Sequence, residues 1–376
     1  MSDKKIMQDK LLLPKVLYGS AGVEMNLYFA NVFTCVNPAN YIFHVYSSVG
    51  RCDTERWRFV PETAGTYEAK IEVISDEGVV AEGSFSIVIS DPAKAAGRKL
   101  RILMIGDSLT DQTCYPAHLH TLCVRNNIEL TMLGTNVPLE LKELPGGKMI
   151  NYPPDKELEG VRHEGRGGWS AATFLRRKEP IECETDYHWN CASPFLTPDG
   201  VFDFKGYIDK NCDGIAPDII MISLGGNDMI NITRDNSGEV IGRYLENMQQ
   251  LYENIRKDAP DALYGIVLEP YGSMDQSAWG DNYGCSYFAW NRRSLVPPAY
   301  AKLSEIFSAK ENCSMVPLYT AVDPIYGYPR KEEKCFAESD AVVGRGDNAL
   351  HPAPAGYRQA ANCAFGWLLD IISKGC

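Results

Sequence analysis

Leu103-Met104-Ile105-Gly106-Asp107-Ser108-Leu109-Thr110-Asp111-Gln112 is the stretch on which the fold turns. It opens inside an apolar run, residues 100–105, with the length of a buried strand. The run breaks at Gly106 and carries Ser108 to the tip of a turn. Strands buried on both faces belong to parallel sheets, whose ligands bind beyond the carboxyl ends of the strands. A serine in that place is a candidate nucleophile.

Downstream the rhythm repeats. Strand-like runs occur at 129–133, 218–223, 263–268 and 315–319. Helical patterns lie between some of them. Tyr244, Met248, Leu251 and Ile255 share one helical face that stops before Pro260. Another helix is predicted over about 299–309, and a last one over about 354–372. This alternation predicts a parallel sheet with helices on both faces. Two long excursions, 135–212 and 271–297, are rich in aromatic rings, among them Trp169 and Trp279. Such rings either stack on a ligand or pin the loop to the core.

Residues before about 90 read differently. Alternating runs at 23–29, 41–45, 68–74 and 84–89, with Trp57 and Phe59 on one face of a further run, predict a small antiparallel β-sandwich. The turn Pro61-Glu62-Thr63-Ala64-Gly65-Thr66-Tyr67 is similar to one in immunoglobulin-like modules. A Pro/Ala/Gly linker at 91–99 separates two expected domains, an accessory β-domain (1–91) and a catalytic domain (99–376).

A net charge of −12 excludes nucleic acid and an anionic membrane surface as natural partners. No apolar run approaches the length of a membrane span. The 12 cysteines are scattered and lack a CxxC pair, which predicts reduced, mostly buried thiols. Residues 1–10 show no signal peptide, so the expectation is a cytoplasmic protein, with export left open. Cys183, His188, Cys191 and Cys212 match no standard zinc spacing, and no phosphate-cradling GxxxxGK[ST] is present. Neither a metal nor a nucleotide cofactor is expected.

A serine hydroxyl needs a base, and neutral imidazole is the usual one. Of the six histidines, His44 falls in the β-region, His118 and His120 follow Ser108 on the next helix, and His163 and His188 fall in the first excursion. His351, just before the last helix, remains as the best base, on a loop expected at the sheet edge of Ser108. Acyl transfer also needs donors for the developing oxyanion. Two segments offer them, Ser223-Leu224-Gly225-Gly226-Asn227-Asp228 after a buried strand and Gly165-Arg166-Gly167-Gly168-Trp169-Ser170 in a loop. Either segment alone could be an ordinary turn. The order of the set, with Ser108 first and His351 last, is what points to catalysis.

That ordered set resembles the SGNH hydrolase superfamily, the GDSL esterases. Gly106-Asp107-Ser108-Leu109 matches the first block, Gly168 the second, Gly225-Gly226-Asn227-Asp228 the third, and His351-Pro352 the last. The resemblance covers residues from about 100 to the C-terminus. It implies a flavodoxin-like three-layer α/β/α domain. It also implies Ser108 as nucleophile, His351 as base, and Gly168 and Asn227 in the oxyanion hole. One position departs from the pattern. The family's last block has Asp three residues before the histidine, where this chain has Asn348, with Asp347 one further back. Asp347 is the expected orienter because a carboxylate offsets imidazolium charge and an amide does not. Asn348 and a backbone carbonyl are the alternatives. Asp107 and Trp169 are the candidate substrate contacts.

The expected activity is hydrolysis of a small-molecule or oligosaccharide ester through an acyl-enzyme. An appended β-domain, an acidic composition and the Gly168-Trp169 pair favour O-deacetylation of a carbohydrate. A lysophospholipase or short-chain acyl esterase or thioesterase is the alternative within the class, and an inactive glycan-binding protein the alternative outside it.

Overall fold

The structure, a computed structural model, describes residues 7–137, 159–181 and 190–375. By contact the chain forms two compact units, one of residues 1–95, 270–301 and 317–376, the other of 96–269 and 302–316.

The second unit holds the parallel sheet. Lys99–Gly106 lies inside it, paired on one side with Ile219–Ser223. Its other side pairs first with Glu129–Leu133 and then, at Ile105 and Gly106, with Glu164–Gly165. Leu263–Val267 and Cys313–Val316 continue the sheet beyond Ile219–Ser223. Leaving out the two-residue Glu164–Gly165, the main strands run 2-1-3-4-5, the flavodoxin-like order. Ile102 to Ile105 and all of Ile219–Ser223 are buried, as strands covered on both faces must be. The order reverses between the first and third strands. Ser108 follows one of them and Asn227 the other.

Two of the expected elements have other bounds. The last strand of this parallel sheet is Cys313–Val316, and Leu318–Ala321 is a short helix. Pro317 separates them, having no N–H to continue a ladder. The helix expected from 299 is Ala289–Phe307 and runs through Pro297 and Pro298. Those prolines masked its first turns.

In the first unit, Gly78–Ser90 and Gly65–Ser75 form a long antiparallel hairpin with Ile42–Ser47 beside it. Its inward row, including Ile71, Val73, Phe85 and Ile87, is buried. A second sheet joins Met25–Tyr28, Arg56–Phe59 and Arg51–Cys52, also antiparallel. Val16–Ser20, which the alternation did not reveal, pairs in parallel with Gly78–Ser90. The final helix, Pro354–Gly375, buries Tyr357, Phe365, Trp367 and Leu368, and it packs against Val16–Ser20. Buried Arg293 donates to the carbonyls of Gly272 and Ala30 and to Asn31 Oδ1, tying the later segments of this unit to its β-region.

Among the described residues, no helix is long and apolar enough to cross a membrane. Cys114, Cys123, Cys212 and Cys363 are buried free thiols. Burial raises the Cys123 thiol to about 12, which makes it inert.

Candidate active site

Ser108 opens a single helical turn, Ser108–Asp111, at the end of Lys99–Gly106. Asp107 caps that turn, its Oδ1 accepting from Leu109 N at 2.9 Å. Gly106 is required by its neighbours. A Cβ there would overlap the Thr110 side chain and come within 3.0 Å of the Ser223 carbonyl oxygen. The sharp exit from the strand holds Ser108 half-buried at its tip.

Three loops of this unit are stitched together around that tip. Gly106 O accepts from Arg166 N at 3.0 Å, and Ser223 O accepts from Asp107 N at 3.2 Å. Asn227 Nδ2 donates to Asp107 Oδ2 at 3.1 Å and to Trp169 O at 2.9 Å. Asp228 accepts from Ala171 N through both carboxylate oxygens at 3.2 Å. The turn at Ser108 and the two loops expected to supply oxyanion donors therefore touch one another. Gly168 adopts φ +75°, a left-handed conformation, with open space where a Cβ would point. Trp169, expected as a substrate contact, has a fully buried ring packed edge-on to Phe174 at 4.8 Å and covered by Arg177. Its carbonyl is the group that meets Asn227.

Beneath the Gly165–Ser170 segment lies a buried polar network that sequence reasoning missed. Glu164 is 0 % exposed and pairs with Arg166 Nη2 at 2.7 Å. It also accepts from Thr135 N at 2.6 Å, Thr135 Oγ1 at 3.1 Å and Tyr207 O–H at 2.8 Å. Burial and this carboxylate push the Tyr207 hydroxyl well up. His163 is structural. Its Nδ1 accepts from Gly165 N at 3.1 Å and its Nε2 faces Thr113 Oγ1 at 2.9 Å. Since Thr113 Oγ1 also donates to Asp111 O, the network assigns the His163 proton to Nε2.

A polar cavity of about 480 Å³ opens in this unit beside Asn227, lined by Ser170, Arg176, Asn227, Asp228, Arg243 and Asn247. Burial raises the Asp228 carboxyl to about 7, with the nearby Glu269 charge adding to the effect.

In the other unit, His351 ends a loop whose backbone is held at nearly every residue. Asn348 Oδ1 accepts from Leu350 N at 3.0 Å and from His351 N at 2.8 Å. Asn282 clamps the segment before it, donating to Asp347 O at 3.0 Å and accepting from Ala349 N at 2.9 Å. Asp275 accepts from Gly346 N at 2.8 Å. Buried Ala349 packs with Trp279 and Ala289, so the ring of Trp279 pins this loop. The Asp347 carboxylate is half-exposed and lies 3.6 Å from Lys331 Nζ. Cys183 and His188, whose spacing with Cys191 and Cys212 matches no standard zinc site, lie outside the described residues. Among the described ones, no group of His, Cys, Asp or Glu could hold a metal ion.

A serine delivered off a parallel strand at the point where strand order reverses defines the class: an α/β serine ester hydrolase. Residues 102–364 match the model of the GDSL-like lipase/acylhydrolase family, and the chain belongs to that family. Solved structures with a similar chain path include a Clostridium thermocellum family 3 carbohydrate esterase (14 % identity, 74 % of this chain and 100 % of that one, TM-score 0.40). A carbohydrate esterase of family 3 from Talaromyces cellulolyticus is 16 % identical over 73 % of this chain and 98 % of its own, with TM-score 0.44. A possible lipase from Chitinophaga pinensis is 13 % identical over 73 % and 98 %, with TM-score 0.41. A comparison with curated proteins gives no match.

Proposed function

We propose that the protein removes O-acetyl groups from a carbohydrate. Ser108 attacks the ester carbonyl while His351 takes its proton. The N–H groups of Ser108 and Gly168 and the Asn227 amide receive the oxyanion, the substrate oxygen competing with Trp169 O for one Asn227 hydrogen. His351 then gives its proton to the leaving alcohol, and water attacks the acyl-enzyme with His351 again as base. Asp347 is the proposed orienter of His351, since the Asn348 side-chain oxygen is already committed to two backbone N–H groups. Residues 1–91 serve as an accessory module to a catalytic region of 99–376.

The observation that carries the carbohydrate reading is the character of the cavity beside Asn227. Two arginines, two acids, two asparagines, a serine and a tyrosine line it, with Ala172 as its one aliphatic side chain. Its volume suits a sugar unit, and its lining offers donors and acceptors where a lysophospholipid would need aliphatic surface. The test is acetate release from acetylated oligosaccharides, compared with p-nitrophenyl acetate and lysophosphatidylcholine. The reading expects the highest kcat/KM on an acetylated sugar and none with Ser108→Ala. Preference for the lysolipid would overturn it in favour of the alternative esterase. Turnover surviving Ser108→Ala would remove the nucleophile.

A further inference from the structure

Glu269 lies two residues beyond the strand Leu263–Val267 and is 0 % exposed. Its Oε1 accepts from Ser223 Oγ at 2.9 Å, and its Oε2 accepts from Gly226 N at 2.9 Å. Ser223 is the last residue of Ile219–Ser223, and Gly226 immediately precedes Asn227. One carboxylate therefore spans the start and the tip of the loop that presents the Asn227 amide. Burying a carboxylate is costly, so a site that keeps one relies on its bonds being made. Backbone fixed at Gly226 sets where the next Cα stands, and hence where the Asn227 side chain points. Misplacing such a donor by about 1 Å can cost on the order of a hundredfold in rate.

We propose that Glu269 is a positioning residue of the esterase, holding the Ser223–Gly226 loop so that Asn227 meets the oxyanion. The proposal rests on the oxyanion role assigned to Asn227. Its effect passes through the loop that it holds at Ser223 and Gly226. Its geometry, rather than its charge, is what the loop requires. A glutamine can accept from Gly226 N–H through its oxygen and donate to Ser223 Oγ through its nitrogen, with the hydroxyl turned round.

The test measures kcat and KM on p-nitrophenyl acetate for Glu269→Ala, Glu269→Gln, Asn227→Ala and the double variant Glu269→Ala/Asn227→Ala. Glu269→Ala is expected to lower kcat at least tenfold with KM within about twofold. Glu269→Gln is expected to restore kcat to within about threefold. In the Asn227→Ala background, Glu269→Ala should cost less than about twofold more. Wild-type kcat in Glu269→Ala, equal loss in Glu269→Gln, or full additivity in the double variant overturns the proposal. If Asn227→Ala itself leaves kcat unchanged, the oxyanion assignment falls instead, whatever Glu269 does. Should Glu269→Ala not fold, Ser223→Ala removes one of the two anchors. A several-fold kcat loss that vanishes in the Asn227→Ala background supports the proposal, and no loss overturns it.

Discussion

Asn227 Nδ2 donates to Asp107 Oδ2 at 3.1 Å, so the residue before the proposed nucleophile holds the proposed oxyanion donor. The same carboxylate uses its other oxygen to cap the turn that begins at Ser108. One side chain thus holds both the turn of Ser108 and the amide of Asn227. It does so from a buried position, 2 % exposed, which makes it a support for the site and leaves little surface for substrate.

Asp107→Asn separates these two tasks. The amide oxygen can still cap Leu109 N, because Asn is as good an N-cap as Asp. The amide nitrogen then faces the Asn227 amide, donor against donor. The expected result is a melting temperature near wild type and a kcat lowered about tenfold to a hundredfold, with KM little changed. Asp107→Ala should lose the cap as well, at about 1 kcal/mol of stability. Steady-state kinetics beside thermal melts check both.

The Glu164–Arg166 pair should behave as a buried ion pair that supports a loop. Arg166→Ala leaves Glu164 buried without its cation, and breaking such a pair costs about 3–5 kcal/mol. The double variant Arg166→Met/Glu164→Leu removes both charges and is expected to be less destabilised than the single one. Urea unfolding of the three proteins reads the difference. If the double variant is the least stable, the network around Thr135 and Tyr207 matters more than the unpaired charge.

On the base side, Asn348 and Asp347 are expected to fail differently. Asn348→Ala frees the N–H groups of Leu350 and His351, which should cost about 1 kcal/mol and lower kcat several-fold. Asn348→Asp keeps the acceptor and should stay near wild type. Asp347→Ala should lower kcat at least tenfold without a change in melting temperature, because its carboxylate is half-exposed and its loss leaves no buried group unpaired. Lys331→Ala should leave kcat unaltered. Equal and small effects at Asp347 and Asn348 would transfer the orienting role to a main-chain group.

What the sequence displayed were features carried by short patterns. The run before Gly106 is apolar because the strand is covered on both faces, and its neighbours at 219–223 and 263–267 share that signature. The flavodoxin-like order then places Ser108 and Asn227 beside the reversal of the sheet. Hidden were interactions that join residues far apart in number. Glu269 lies 43 positions from Gly226, and Asn282 lies 67 from Ala349. Neither has a spacing that marks it, although an acid at the carboxyl end of a parallel strand is a signal that could have drawn attention to Glu269. Trp169 shows the converse. An aromatic ring beside a glycine loop reads as a ligand platform, yet its neighbours Phe174 and Arg177 bury it. Val16–Ser20 escaped notice because its parallel pairing with Gly78–Ser90 has no turn to announce it.

Asp228 makes stability depend on pH in a direction opposite to that of a salt-bridged acid. Its carboxyl is raised to about 7 by burial, and the Glu269 charge adds to this. In the unfolded chain it titrates near 4. Below pH 4 it is protonated in both states and contributes no difference. Between pH 4 and 7 the unfolded chain ionises while the folded one does not, so this group's contribution to stability falls as pH rises. Above pH 7 both states are ionised and the loss is complete, about 2 kcal/mol after allowance for partial solvent screening. Asp228→Asn removes the titration and keeps an oxygen for Ala171 N. Its stability relative to wild type should therefore be close to neutral at pH 4.5 and favourable by about 2 kcal/mol at pH 8. Urea unfolding at the two pH values measures the difference. An Asp228→Asn effect that is the same at both would mean that the folded carboxyl titrates near its ordinary value, and that the Ala171 N–H contact outweighs burial.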